Sequence, residues 1–139
     1  MPKIRFNIVS FIVILLVCVV LYFSWLKSPK IGVSILIPNW AVTWVDANEN
    51  DTIRTAVPFV FLGLLFGIQL IQKKASLKWW LISLLFLTLL VFLAELGQLF
   101  LPLRSFDWKD ISWGIIGSGI GLLIIYMIKE FIKIKKQDN

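Results

Sequence analysis

The sequence predicts an all-α integral membrane protein, a four-transmembrane-helix bundle in which residues 1–139 form one domain. Three observations carry that reading. First, 59% of the 139 residues are hydrophobic and the mean hydropathy is +0.89, above the roughly 45–50% apolar content of soluble domains. A soluble chain this apolar would expose large greasy patches, which monomers avoid. Second, the apolar residues fall into four runs: Phe6 to Leu26, about Thr55 to Ile71, Trp79 to Leu101, and Ile111 to Ile128. Third, the basic residues sit in short clusters beside those runs, the pattern that sets membrane topology rather than nucleic-acid binding.

Each run is long enough to cross a hydrocarbon core of about 30 Å as a helix rising about 1.5 Å per residue. Backbone groups in lipid must pair within the segment, so each run is expected to be helical. The first run follows Lys3 and Arg5, as in a signal peptide. Its apolar stretch is longer than such a segment uses and no A-x-A site follows, so it reads as a retained helix. The second run carries Gly63-x-x-x-Gly67. The third is interrupted by Glu95 and Gln98. The fourth carries Gly114 and Gly117-x-x-x-Gly121. Glycines at these spacings let helices approach closely, and all five are assigned to helix packing.

Lys3, Arg5, Lys73, Lys74, Lys78, Lys129, Lys133, Lys135 and Lys136 fall on one side of the predicted bundle. Lys27, Lys30, Arg54, Arg104 and Lys109 fall on the other. The richer side is expected to be cytoplasmic, which puts both termini there. Asp46, Glu49, Asp51, Asp107 and Asp110 then lie outside. All seven tryptophans fall near run ends or in connections, where indole rings favour the headgroup level. The second connection, Gln72 to Lys78, is a tight turn. The first, residues 27–54, is a long extracellular loop, and its apolar Ile31 to Ile37 and its Trp40 and Trp44 suit the outer leaflet or the outer mouth of the bundle.

Function classes narrow quickly. There is no histidine, which removes the commonest general base and metal ligand. Cys18 is the single cysteine and lies inside an apolar run, so it reads as a small hydrophobe. Phosphate-loop, dinucleotide and zinc-protease signatures are absent. No cofactor and no metal site is expected.

The polar residues of the third run remain. Glu95 and Gln98 are three apart and share a helix face. Glu95 is expected about two turns from the outer end, where an acid costs somewhat less than the roughly 2.5–3.5 kcal/mol of a central position. It must face the bundle, with a partner or a proton to neutralise it. Pro102 is expected to end the helix. Arg104 can then fold back, because a guanidinium forks onto a carboxylate. Asp107 and Asp110 open the fourth helix, where the dipole favours acids; the plainer alternatives are that Asp107 or Asp110 is only a helix cap and Arg104 only a headgroup anchor. Glu95, Gln98, Arg104, Asp107 and Asp110 are therefore expected to converge within one hairpin.

From Glu95 through Gln98, Pro102, Arg104, Asp107 and Asp110 to Gly117, the sequence closely resembles the signature of the VanZ-like family of small bacterial membrane proteins. Gly114 stands where that family usually has Asn. Upstream, Asp51, Phe59 and Leu62-Gly63 match a weaker element of the pattern, while Thr52 and Thr55 replace its Lys and His, which leaves a role resting on that His without its residue. The resemblance covers about residues 51–125. It implies a bacterial cytoplasmic membrane protein associated with resistance to teicoplanin, a lipidated glycopeptide that acts on cell-wall precursors at the outer face. Glu95, Gln98, Arg104, Asp107, Asp110 and Asp51 form the expected functional cluster, and a lipid-linked wall precursor or the drug is its expected partner, alongside the bilayer itself. Two further readings stay open. One is a membrane enzyme acting on a lipid headgroup or wall precursor, with Asp107 and Asp110 holding a divalent cation. The other is a small transporter or an assembly scaffold.

Overall fold

The structure is a computed structural model that describes residues 8–25, 38–46, 51–102 and 105–137. The described residues form five α-helices: α1 (Ile8–Ser24), α2 (Asn39–Asp46), α3 (Asp51–Gln72), α4 (Leu77–Gln98) and α5 (Trp108–Gln137). Three of them, α3, α4 and α5, are long and apolar enough to cross a membrane. The described part of α1 is more apolar than these three but shorter, at 17 residues.

The outside of the bundle is as greasy as its inside. Leu81, Leu85, Leu89 and Leu93 form a stripe along α4 and are 49–61% exposed. In water such a stripe would be an aggregation site; against lipid it meets a matching solvent. Since lipid is as apolar as leucine, that surface gives the helices no reason to associate, and packing must come from close fit. The tightest fit lies between α3 and α5, which pack together more extensively than any other pair. A methyl group built on Gly63 would lie 2.5 Å from the Ser118 carbonyl oxygen, and one on Gly117 would lie 2.5 Å from that of Ala56. One on Gly121 would strike the Val60 carbonyl. The two backbones touch along this seam, and only glycine permits it. Gly67 packs against Ile125 in the same interface, while Gly114 faces α4 and meets Val91.

Phe59 and Leu62 of α3, Leu87, Leu90 and Val91 of α4, and Ile111 and Leu122 of α5 form the buried core, with Val20 of α1 against it. Pro58 lies inside α3. It withholds one backbone donor, a defect that packed neighbours tolerate in membrane helices. The α3–α4 turn closes with the Ala75 amide on the Leu70 carbonyl at 2.9 Å and the Lys74 amide on that of Ile71 at 2.9 Å. Lys74 takes the left-handed conformation, with φ of 50°, that this helix ending requires.

Several expected boundaries shift. The third span ends at Gln98 rather than Leu101, because Leu99, Phe100 and Leu101 bond three residues back and tighten the chain into a turn before Pro102 is reached. Glu95 therefore sits about one turn from the helix end, not two. The fourth helix begins at Trp108 and runs to Gln137, well beyond the expected 128. Its 30 residues extend about 45 Å, more than the hydrocarbon core needs. The first connection also holds a short helix, α2, which contacts α3.

Replacing Gly121 by Val should drive α3 and α5 apart, because the obstructing atoms are backbone. The expected loss is about 1–3 kcal/mol, read by unfolding of the purified protein in detergent. Gly119→Ala is the matched control. Nothing lies within 4 Å of its added methyl, so stability should stay within about 0.5 kcal/mol.

Candidate functional site

The buried face of α4 runs through Trp80, Ser83, Leu87, Leu90, Val91, Ala94, Glu95 and Gln98. Three- and four-residue steps keep these side chains on one stripe. That stripe carries Glu95 and Gln98 into the bundle, where they are 3% and 7% exposed. A polar group this deep must be hydrogen-bonded. Gln98 Nε2 donates to Glu95 Oε1 at 2.7 Å, and the backbone amide of Asp107 donates to Glu95 Oε2 at 3.4 Å. Each carboxyl oxygen thus has a donor, one from its own helix and one from the chain entering α5.

Asp107 works in two directions. Its amide meets Glu95, while its side-chain Oδ1 accepts the amide of Lys109 at 2.8 Å. Trp108 is the first helical residue, so this is an N-cap bond that satisfies one of the free amides opening α5. The capping role considered for Asp107 is therefore real, and it coexists with a backbone link to Glu95. Asp110 lies in the first turn of α5, half buried and within Coulombic reach of Glu95. Among the described residues, no group of three His, Cys, Asp or Glu side chains is placed to hold a metal ion.

Two features around this site escaped the sequence reading. Phe92 of α4 and Phe106 and Trp108 of the α5 entry form a three-ring cluster, with centroids 5.0 Å apart for Phe106–Trp108 and 6.2 Å for Phe92–Phe106. The rings flank Asp107 in sequence and clamp its segment against α4, each pair adding about 0.5–1.5 kcal/mol beyond its burial. The spacing Phe106-Asp107-Trp108 was the available signal. The second feature is Trp25, read from sequence as a headgroup anchor. Its indole Nε1 donates to the Ala94 carbonyl at 3.1 Å. The ring rests where a side chain on Gly97 would project. The end of α1 is thereby tied beside Glu95.

Gly114 packs on Val91, one turn before Glu95 on α4. An Asn at this position, usual in the resembling family, would be directed at the Glu95 face. Here the glycine lets α5 close on α4 instead. Ser118, fully buried one turn along, turns its hydroxyl onto the Gly114 carbonyl at 2.9 Å. Asp51 opens α3, and its side chain lies outside the described set. Arg104 also lies outside the described residues.

A helical bundle with apolar outer faces, closed at one end by a buried carboxyl that links two of its helices, defines a small polytopic membrane protein with a polar site at the helix ends. The VanZ/LLP1 family model matches residues 9–129, and the chain belongs to that family. The match includes α1, beyond the segment in which the resemblance was first visible. Comparison with curated proteins returned no match, and comparison with solved structures returned none either.

Gln98→Leu keeps much of the side-chain volume but removes the 2.7 Å donor to Glu95. It should destabilise the protein by about 1–3 kcal/mol, the cost of a buried acceptor left unpaired. Denaturant unfolding in detergent would detect this, and a change within error would contradict it.

Proposed function

We propose that this protein lowers the effect of lipidated glycopeptides such as teicoplanin, by engaging a lipid-linked wall precursor or the drug at the outer face of the bacterial cytoplasmic membrane. The observation that carries this reading is the clamp on Glu95. Both of its oxygens are held, and its link to the Asp107 amide fixes the entry to α5. Asp107 and Asp110 are thereby presented at the end of the bundle, next to the segment that contains Arg104. Carboxylates offer acceptors for the hydroxyls and amides of a sugar–peptide headgroup. A guanidinium offers a forked donor for a phosphate or a carboxylate. The apolar helix faces suit the lipid tail of either ligand. In this arrangement Glu95 is a positioning residue, and the groups that touch ligand are Arg104, Asp107 and Asp110.

The topology belongs to the same proposal. The Glu95 end lies at the opposite end of α4 from Lys78 in its first turn and from the preceding turn with Lys73 and Lys74. The excess of Lys and Arg on that turn and on the C-terminal segment supports placing them in the cytoplasm. The first run then crosses as a fourth span, and the Glu95 end faces outward.

Two measurements test these statements. In intact cells, Ser105→Cys should react with a membrane-impermeant maleimide, whereas Ser76→Cys should react only after permeabilisation; the reverse pattern would invert the topology. A susceptibility profile across glycopeptides and lipoglycopeptides tests the function, with wild type, Glu95→Gln, Arg104→Ala and Asp110→Asn at matched membrane levels. The expected result is a several-fold loss of protection for each variant, confined to the lipidated drugs. Variants indistinguishable from wild type, or a wild type that protects against none of them, would overturn it.

A further inference from the structure

The end of the bundle away from Glu95 holds a second arrangement of donors, which the proposed function does not use. Trp80 lies in the first turn of α4 and is only 5% exposed. Its indole Nε1 is buried and has no hydrogen-bond partner. Such a group is uncommon in a native structure and costs free energy until something accepts its proton. The Trp80 ring packs edge-on against Tyr126 of α5, with centroids 5.1 Å apart. One turn along α5, the Lys129 ammonium lies over both rings, 5.6 Å from the centroid of Trp80 and 5.2 Å from that of Tyr126.

The backbone adds donors in the same place. Ser76 is the N-cap of α4 and makes no side-chain cap bond. The Trp79 amide reaches the Ser76 carbonyl at 3.0 Å. The amides before it have no intrahelical acceptor, and the helix dipole is positive here. Side chains of a helix lean toward its N-terminus, so the Trp80 ring lies over this uncapped turn. Lys73, Lys74 and Lys78 are exposed around it. The facing acid is Glu130, whose carboxylate stands 3.8 Å from Lys129 with both side chains about one-third exposed. An exposed pair of that length is weak and exchangeable.

We propose that this end of the bundle binds the phosphate group of an anionic phospholipid headgroup. One phosphate oxygen accepts from the Trp80 indole and another from Lys129, and Glu130 is displaced. Lys129 is the long, flexible side chain over the rings, and its swing admits the phosphate to the indole edge. The site lies where Trp79 and Trp80 begin α4, the level at which headgroups meet a span. A phosphate there supplies the acceptor that the buried indole lacks and an anion for the uncapped turn.

The test uses the full chain in neutral detergent, with thermal unfolding followed during addition of phosphatidylglycerol, phosphatidylcholine or inorganic phosphate. Phosphatidylglycerol should raise the melting temperature above the phosphatidylcholine level. Lys129→Gln and Trp80→Phe should each reduce that increment to the phosphatidylcholine level, measured from each variant's own baseline, while Lys129→Arg retains it. If inorganic phosphate alone reproduces the rise and the same variants abolish it, the phosphate site stands and its source is a soluble phosphate. Equal stabilisation by the two lipids, or an increment that survives Lys129→Gln, overturns the proposal. Lys129 is partly exposed, so its variants remain informative even if Trp80→Phe does not fold.

Discussion

Helices in lipid gain nothing by hiding leucine from leucine, so this bundle depends on the seam where the α3 and α5 backbones touch. Gly63, Gly117 and Gly121 bring α3 and α5 together with no side chain between them. Close backbone approach multiplies dispersion contacts at little cost in side-chain entropy. With that pair joined, α4 can lay its buried stripe along α5, with Val91 on Gly114. The position of Glu95 follows from the same contact, since a wider α4–α5 separation would draw its carboxyl away from the Asp107 amide.

The Glu95 end shows how a costly residue can organise structure. An acid buried near the end of a span must find donors, and this one takes a side-chain amide from its own helix and a backbone amide from the next. The second bond is long, and three aromatic rings support it by holding Phe106 and Trp108 against Phe92. The α5 entry is therefore fixed from both sides, by polar contacts within and by rings at its flank. Trp25 fixes α1 to the same end through Ala94 and Gly97. The VanZ/LLP1 family match spans this hairpin, and of the residues that make the hairpin recognisable, Glu95, Gln98 and Asp107 meet here.

The two ends of the bundle are chemically opposite. One gathers carboxyl groups around Glu95, with their donors. The other gathers ammonium groups, an uncapped helix start and an unpaired indole.

The run lengths, the helical class and the buried acid were legible in the sequence because hydropathy and spacing are local. Twenty apolar residues in lipid have one good conformation, and an acid among them has one good direction. The glycine spacing likewise announced close approach, though not which helices would meet. Partner identity was not local. Gln98 shares the Glu95 face in the sequence, yet the second bond to Glu95 comes from the backbone of Asp107, whose amide carries no sequence signature; the expected partner Arg104 lies outside the described residues. Trp25 and Trp80 looked alike as boundary tryptophans, but tertiary packing turned one onto a carbonyl of α4 and buried the other without a partner. The end of α4 moved for a similar reason: its final carbonyls are taken up by a tightened turn before the proline acts. The sequence by itself determined which segments must be helices and that one of them carries a buried acid. Only the tertiary structure decided what each polar group touches, because that depends on how closely α3, α4 and α5 can approach.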